Sequence, residues 1–82
     1  METMIGRVTH YYPKVSVAAV VLDRHLEKGD RIHIHGPHED IYQTVTSMEY
    51  EHNPIMEADP GQDIGIRVPM RVHEGDLVYK ED

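Results

Sequence analysis

Three short segments repeat one arrangement of turn residues, and this repetition limits the folds available to the chain. KGDRI at residues 28–32, PGQDIGI at 60–66 and EGDLV at 74–78 each place a glycine and then an aspartate before an aliphatic residue. Glycine supplies the positive φ angle that a tight turn needs, and aspartate accepts hydrogen bonds from nearby backbone N–H groups. The segments therefore predict three tight turns, each leading into a β-strand.

The aliphatic residues of the chain also favour strands. Nine valines and seven isoleucines stand against three leucines, with no Phe or Trp. β-Branched side chains fit a pleated sheet and are stiff in helices, and no segment shows a sustained helical period. The predicted strands cover residues 5–10, 15–22, 31–35, 41–52, 55–56, 64–68 and 78–80.

The burial pattern within these strands can be predicted in part. Residues 15–22 are almost all apolar or small, which predicts a central strand buried on both faces. Within residues 41–52 the alternation breaks, and a bulge near Thr46 and Ser47 would turn Met48 inward. The predicted core is Ile5, Val8, Val15, Val17, Val21, Ile32, Ile34, Val45, Ile64, Ile66 and Val78.

These features predict an all-β fold with one domain over residues 1–82. Six to seven short strands with evenly spaced turns suggest a small closed antiparallel β-barrel, because closure removes exposed strand edges. The interior of such a barrel is filled by side chains, which leaves little room for a sequestered active site. The sequence therefore predicts that the chain is not an enzyme.

Charge and cysteine content exclude several classes of function. The chain carries 15 acidic and 8 basic residues, a formal charge of −7, and no cysteine. Scattered basic residues and a net negative charge disfavour non-specific DNA binding, and the lack of cysteine excludes thiolate chemistry and disulfides. Because no long apolar run or signal segment is present, we expect a cytoplasmic protein that binds no membrane.

An ordered set of motifs resembles the second domain of translational GTPases such as elongation factor Tu, and above all a small stand-alone translation elongation factor-like protein. The matching residues are Gly6, Val8, 17–22, Leu26, Gly29, Asp30, Ile32, Ile34, Gly36, Val45, Ser47, Met48, Ala58, Gly61, Ile64, Gly65, Ile66, Gly75, Asp76, Val78 and Tyr79. A similar barrel is appended to some collagenase-like peptidases. The resemblance implies a translation-factor second-domain barrel, and the lack of a phosphate-binding G-x-x-x-x-G-K-[ST] motif predicts no GTPase activity.

Three histidines close together form a candidate metal site. If Ile32 and Ile34 face the interior, His33 and His35 point outward, because alternate residues of a strand share a face. Such a pair can bind zinc, with His38 or Glu39 of the following turn as a third ligand. The same spacing is common on solvated strand faces, and we prefer that interpretation to a metal site formed by His33, His35 and His38.

The segment HYYPK at residues 10–14 is the best candidate for partner binding. It groups His10, Tyr11, Tyr12 and Lys14 near the end of a strand. Adjacent tyrosines of an extended segment cannot both point inward, and an exposed tyrosine beside a cation is typical of binding hot spots. The alternative, which we prefer, is an ordinary loop in which one tyrosine covers the mouth of the barrel.

Two functions follow from these features. The preferred one is a non-catalytic interaction module that docks on a protein or ribonucleoprotein partner, as a monomer or weak homo-oligomer and without a cofactor. The alternative is a small metal- or ligand-binding protein that uses the histidine-rich strand.

Overall fold

The computed structural model describes all residues from Met1 to Asp82 as an all-β fold without helices. Its ten strands are β1 (Glu2–Tyr12), β2 (Val17–Leu22), β3 (Leu26–Glu27), β4 (Arg31–His35), β5 (Asp40–Thr44), β6 (Met48–Tyr50), β7 (Asn53–Ile55), β8 (Glu57–Ala58), β9 (Asp63–Arg67) and β10 (Leu77–Glu81). Nothing in the structure resembles a helix long and apolar enough to cross a membrane.

The strands form an antiparallel sheet of eight strands and a separate pair. The order in the large sheet is β5-β4-β10-β1-β2-β9-β6-β7, and β3 pairs with β8. No ladder joins the edge strands β5 and β7, so the prediction of a closed barrel with six to seven strands is wrong. The chain leaves the ladder after Thr44, and Val45 instead exchanges backbone hydrogen bonds with Gly29 and Asp30.

The three predicted turns share one geometry. In each, the fourth residue donates its backbone N–H to the carbonyl of the first (Asp30 to Glu27, Gln62 to Asp59, Asp76 to His73). The third residue is a glycine with a φ angle of 98°, 92° or 92°, as a type II turn requires.

A side chain completes each of these turns by accepting the backbone N–H of the first residue. The acceptors are Asp30 at 2.8 Å, Gln62 at 2.7 Å and Asp76 at 3.0 Å. In the second turn the acceptor is thus Gln62, and not the aspartate of the predicted pattern. The positive φ predicted for Gly29 is confirmed.

One cluster of 17 buried apolar residues forms the core. It consists of Ile5, Val8, Ala18, Val20, Leu22, Leu26, Ile32, Ile34, Ile41, Val45, Met48, Ala58, Ile64, Ile66, Val68, Val72 and Val78. Met48 faces inward as predicted, although an interruption at residues 45–47, rather than a bulge within one strand, separates β5 from β6.

The second strand buries a different face from the predicted one. Val15 is 54% exposed, Val17 and Val21 are half-buried, and Val20 is fully buried. Because apolar residues occupy both faces of this strand, its own pattern does not select the inner face. Pairing with β1 and β9 decides it by placing Val20 opposite Val8 and Ile64.

Candidate functional site

The predicted histidine pair lies on β4, opposite the core face. Ile32 and Ile34 are fully buried, as expected. The prediction of a solvated face holds only for His35, which is exposed, whereas His33 is buried. The ring of Tyr42 from the neighbouring strand stacks on His33 with a centroid distance of 4.0 Å and an angle of 7°.

Both ring nitrogens of His33 face carboxylates. Nδ1 lies 3.0 Å from Oε1 of Glu2, and Nε2 is hydrogen-bonded to Oδ1 of Asp40, which also lies 3.2 Å from Nδ1 of His35. Burial opposes the charged form of His33, but the hydrogen bonds to Asp40 and Glu2 outweigh it, so the pKa of His33 lies above its ordinary value. Hydrogen bonds from His33 and His35 hold the pKa of Asp40 below its ordinary value.

This arrangement engages His33 with two carboxylates instead of leaving a nitrogen for metal. A metal ion would have to displace one of these carboxylates, because a ring nitrogen that carries a proton has no lone pair for an ion. Asp40, rather than His38, completes the group formed by His33 and His35. His38 instead packs against His73, with ring centroids 4.7 Å apart.

We expect the substitution His33→Gln to make stability less dependent on pH. Because the folded protein raises the pKa of His33, its charge stabilises the fold below the unfolded pKa of about 6.5. This contribution is lost as the pH rises through the higher folded pKa. Urea unfolding from about pH 5 to pH 9 should show the wild type about 1–3 kcal/mol more stable than the variant at the acid end, with a smaller difference at the alkaline end.

The exposed neighbour supplies the control for this measurement. His35→Gln should change stability by less than about 0.5 kcal/mol. A gap between wild type and His33→Gln that stays constant across the pH range would show that the protonated ring is not what stabilises the fold.

The candidate partner-binding segment borders two cavities, although the rings of His10 and Tyr12 are in contact, with centroids 4.4 Å apart. His10 and Tyr11 line one cavity, whereas Tyr12 lines a different one together with Val15. Tyr12 is 49% exposed, and Tyr11 packs partly against the core. Lys14 is exposed in the turn that follows β1.

The first cavity, here called the histidine cavity, has a volume of about 660 Å³. It lies between the end of β1, the turn after β4 and the loop before β10. Its lining residues are His10, Tyr11, Pro37, His38, Arg71, Val72, His73, Glu74, Gly75 and Asp76. Three imidazoles, a guanidinium and two carboxylates therefore meet at one end of the fold.

Ion pairs and ring contacts order this cavity. His10 lies 3.3 Å from Glu74 through Nδ1, and the guanidinium of Arg71 lies 5.5 Å from the centre of the Tyr11 ring. Nδ1 of His73, which lines the cavity, is 2.8 Å from Oε1 of Glu39, which does not. Sequence reasoning missed Arg71, His73 and Glu74 because a loop distant in sequence brings them to β1.

A further cluster surrounds His25 beside the two-stranded ladder. Its Nδ1 lies 3.2 Å from Asp59, and its Nε2 lies 3.1 Å from Glu27 and 3.4 Å from Glu57. Hydrogen bonds to Asp59 and then to Glu27 raise the pKa of His25. This cluster is not predictable from the sequence, because pairing of β3 with β8 brings its acidic residues together.

The fold occurs in the C-terminal domain of a putative U32 peptidase. The crystal structure of the C-terminal domain of a putative U32 peptidase from Geobacillus thermoleovorans has a TM-score of 0.89 and 26% identity, covering 96% of this chain and 92% of that domain. The selenomethionine variant of the same domain has a TM-score of 0.88 and 24% identity, over 93% and 96% of the two chains.

A comparison of sequences also relates the chain to a protease. An uncharacterised protease of Methanocaldococcus jannaschii is 40% identical over 76 residues, which is 92% of this chain. The matched part is only 19% of the protease, so the chain spans about a fifth of its relative. The chain matches no established family profile.

These comparisons correct the predicted resemblance to a translation elongation factor. The relatives are a protease and the C-terminal domain of a putative U32 peptidase, so the prediction of a translation-factor-like interaction module is wrong as well, and the metal- or ligand-binding alternative is not better supported. Many of the residues that suggested a translation factor serve the fold: Gly29 and Asp30 form a turn, and Ile32 and Ile34 fill the core. Different families of small β domains need such residues at similar positions.

Proposed function

We propose that the chain is an accessory domain of a U32-type peptidase, which assists the catalytic part by binding and does not cleave peptide bonds itself. The observation that carries this proposal is the correspondence with a peptidase C-terminal domain over nearly the full length of both chains. The stretch of 40% identity with a protease supports it independently.

The chemistry of the histidine cavity supports a binding role. Its lining offers imidazole, guanidinium, phenol and carboxylate groups but no serine, threonine or cysteine. The imidazole of His10 and the guanidinium of Arg71 are already engaged, with Glu74 and with the Tyr11 ring. With no serine, threonine or cysteine to act as a nucleophile, these groups are suited to binding a partner by hydrogen bonding and stacking.

The surface around Tyr12 is our candidate for contact with the catalytic part. Tyr12 and Val15 expose 49% and 54% of their surfaces beside each other, and half-buried Val17 extends the apolar area. Glu49, Glu51 and Asp63 surround this area with negative charge. An exposed aromatic ring in an apolar area with a polar border is the usual composition of a binding hot spot.

The proposal can be tested by adding the chain to a U32-family peptidase prepared without its own C-terminal domain. We expect the chain alone to leave a fluorogenic peptide and denatured casein intact. We expect calorimetry to detect binding to the truncated peptidase, and peptide cleavage by that peptidase to rise when the chain is present. Tyr12→Ala should weaken binding about tenfold, or about 1.4 kcal/mol.

Tyr42→Ala is the matched control, because Tyr42 is also 49% exposed but lies against His33. It should leave binding unchanged. Peptide cleavage by the chain alone would overturn the non-catalytic role. If binding and stimulation were both absent, the accessory role itself would be rejected.

A further inference from the structure

Glu39 has an unsatisfied carboxylate oxygen inside the protein. Its side chain is only 6% exposed, and Oε2 is shielded from solvent without a hydrogen-bond partner. Oε1 is held by His73 at 2.8 Å. A buried carboxylate oxygen without a donor or a cation is costly, so a positive ligand at this position would relieve the desolvation of Glu39.

Groups that bind metal ions converge beside this carboxylate. Ligand atoms of Glu39, His73 and Asp76 all lie within 4.8 Å of one another. The ring of His38 lies 4.7 Å from that of His73, which adds a second imidazole. His73 is 40% exposed and lines the histidine cavity, so an ion can enter from solvent.

We propose that Glu39 and His73, with His38 and Asp76 beside them, bind a divalent transition-metal ion such as Zn²⁺. Imidazole nitrogen and carboxylate oxygen are the ligands that Zn²⁺ takes in proteins without thiolates, at about 2.0–2.2 Å. Two such ligands on a tetrahedral ion lie roughly 3.3–3.5 Å apart, so the present separations need only small side-chain movements. This inference does not depend on the proposed accessory role.

Free nitrogen atoms distinguish this cluster from the other two groups of histidines and acids. His33 and His25 each have both ring nitrogens engaged by carboxylates. His73 uses only Nδ1, and its Nε2 makes no hydrogen bond; neither nitrogen of His38 makes one. Nε2 of His73 and both nitrogens of His38 are thus free, and an ion bound between His73 and Glu39 would have to replace only the contact between those two residues.

A bound ion would join two segments that are distant in sequence. Glu39 and His38 belong to the turn between β4 and β5, whereas His73 and Asp76 belong to the turn before β10. The two turns already touch. Gly36 of the first turn lies so close to Asp76 of the second that a Cβ atom added to Gly36 would be 1.9 Å from Oδ1 of Asp76. We therefore expect metal binding to stabilise the fold as well as to occupy the site.

The test uses tag-free chain freed of metal with a chelator and titrated with zinc chloride. Calorimetry should detect one ion per chain, and the melting temperature should rise with zinc concentration. Glu39→Gln and His73→Gln should each weaken binding at least tenfold. His25→Gln is the matched control in a comparable acidic cluster, and it should bind zinc as the wild type does.

Two measurements keep the result interpretable if a buried variant folds poorly. His38 is exposed, so His38→Ala should fold normally while still weakening binding by about tenfold. Cobalt(II) in the wild-type chain should give the visible absorption of a tetrahedral site, and this absorption should disappear in His38→Ala. Unchanged zinc affinity in Glu39→Gln and His38→Ala, or loss of binding only in His25→Gln, would overturn the proposal.

Discussion

Replacing Gly6 by alanine should destabilise the protein more than any other glycine-to-alanine change in a strand. A Cβ atom at this position would lie 2.3 Å from the carbonyl oxygen of Val21 and 3.3 Å from Cα of Leu22. Both are backbone atoms of β2, so no side-chain rotation can relieve the overlap. Because β1 is paired on both sides, it cannot move away from β2. We therefore expect the free energy of unfolding to fall by about 3 kcal/mol or more, which is the upper end of the usual cost of overpacking.

Gly29→Ala is the control for this effect. Gly29 also has a structural role, but it has open space around its Cα and requires only a positive φ of 98°. The cost of that φ for alanine is about 1 kcal/mol. Urea denaturation followed by circular dichroism should show a larger loss of unfolding free energy for Gly6→Ala than for Gly29→Ala. Equal losses would mean that β1 and β2 are not as close as the structure has them.

The second large effect is expected for Val20→Ala in the core. Val20 is fully buried between β1 and β9, so the substitution removes two methyl groups and leaves a cavity. The lost transfer energy and the cavity together should cost about 2–3 kcal/mol. For a domain of this size, such a loss is a large part of the total stability.

The adjacent residue permits the same chemical change on the opposite face. Val21 is half-buried, and Val21→Ala should cost less than about 1 kcal/mol. The two variants are compared by chemical denaturation under identical conditions. If Val21→Ala proved the more harmful, the inner face of β2 would be the one that the sequence predicted.

The proposed functional residues were only partly predictable because they come from separate segments. His10, Tyr11 and Tyr12 were recognised as a group, but the two tyrosines belong to different surfaces. Arg71 and His73 have no distinctive sequence pattern and reach the cavity through the fold. The sequence suggests Glu39 only as a ligand beside the histidine strand, whereas the structure pairs it with His73.

The sequence by itself determined the all-β class, the three glycine turns and the inward side of β4. These features depend on local physics: β-branched residues favour strands, and a turn with positive φ favours glycine. The alternation of Ile32 and Ile34 with polar neighbours is likewise visible without tertiary information.

Only the tertiary structure decided the inner face of β2, the open sheet and the surroundings of each histidine. Val20 and Val21 are chemically identical neighbours, and pairing with β1 and β9 alone distinguishes them. His33 and His35 likewise share a strand face, but Tyr42 and Glu2 enclose only the first. Burial and charge at these residues come from partners distant in sequence, which local periodicity cannot specify.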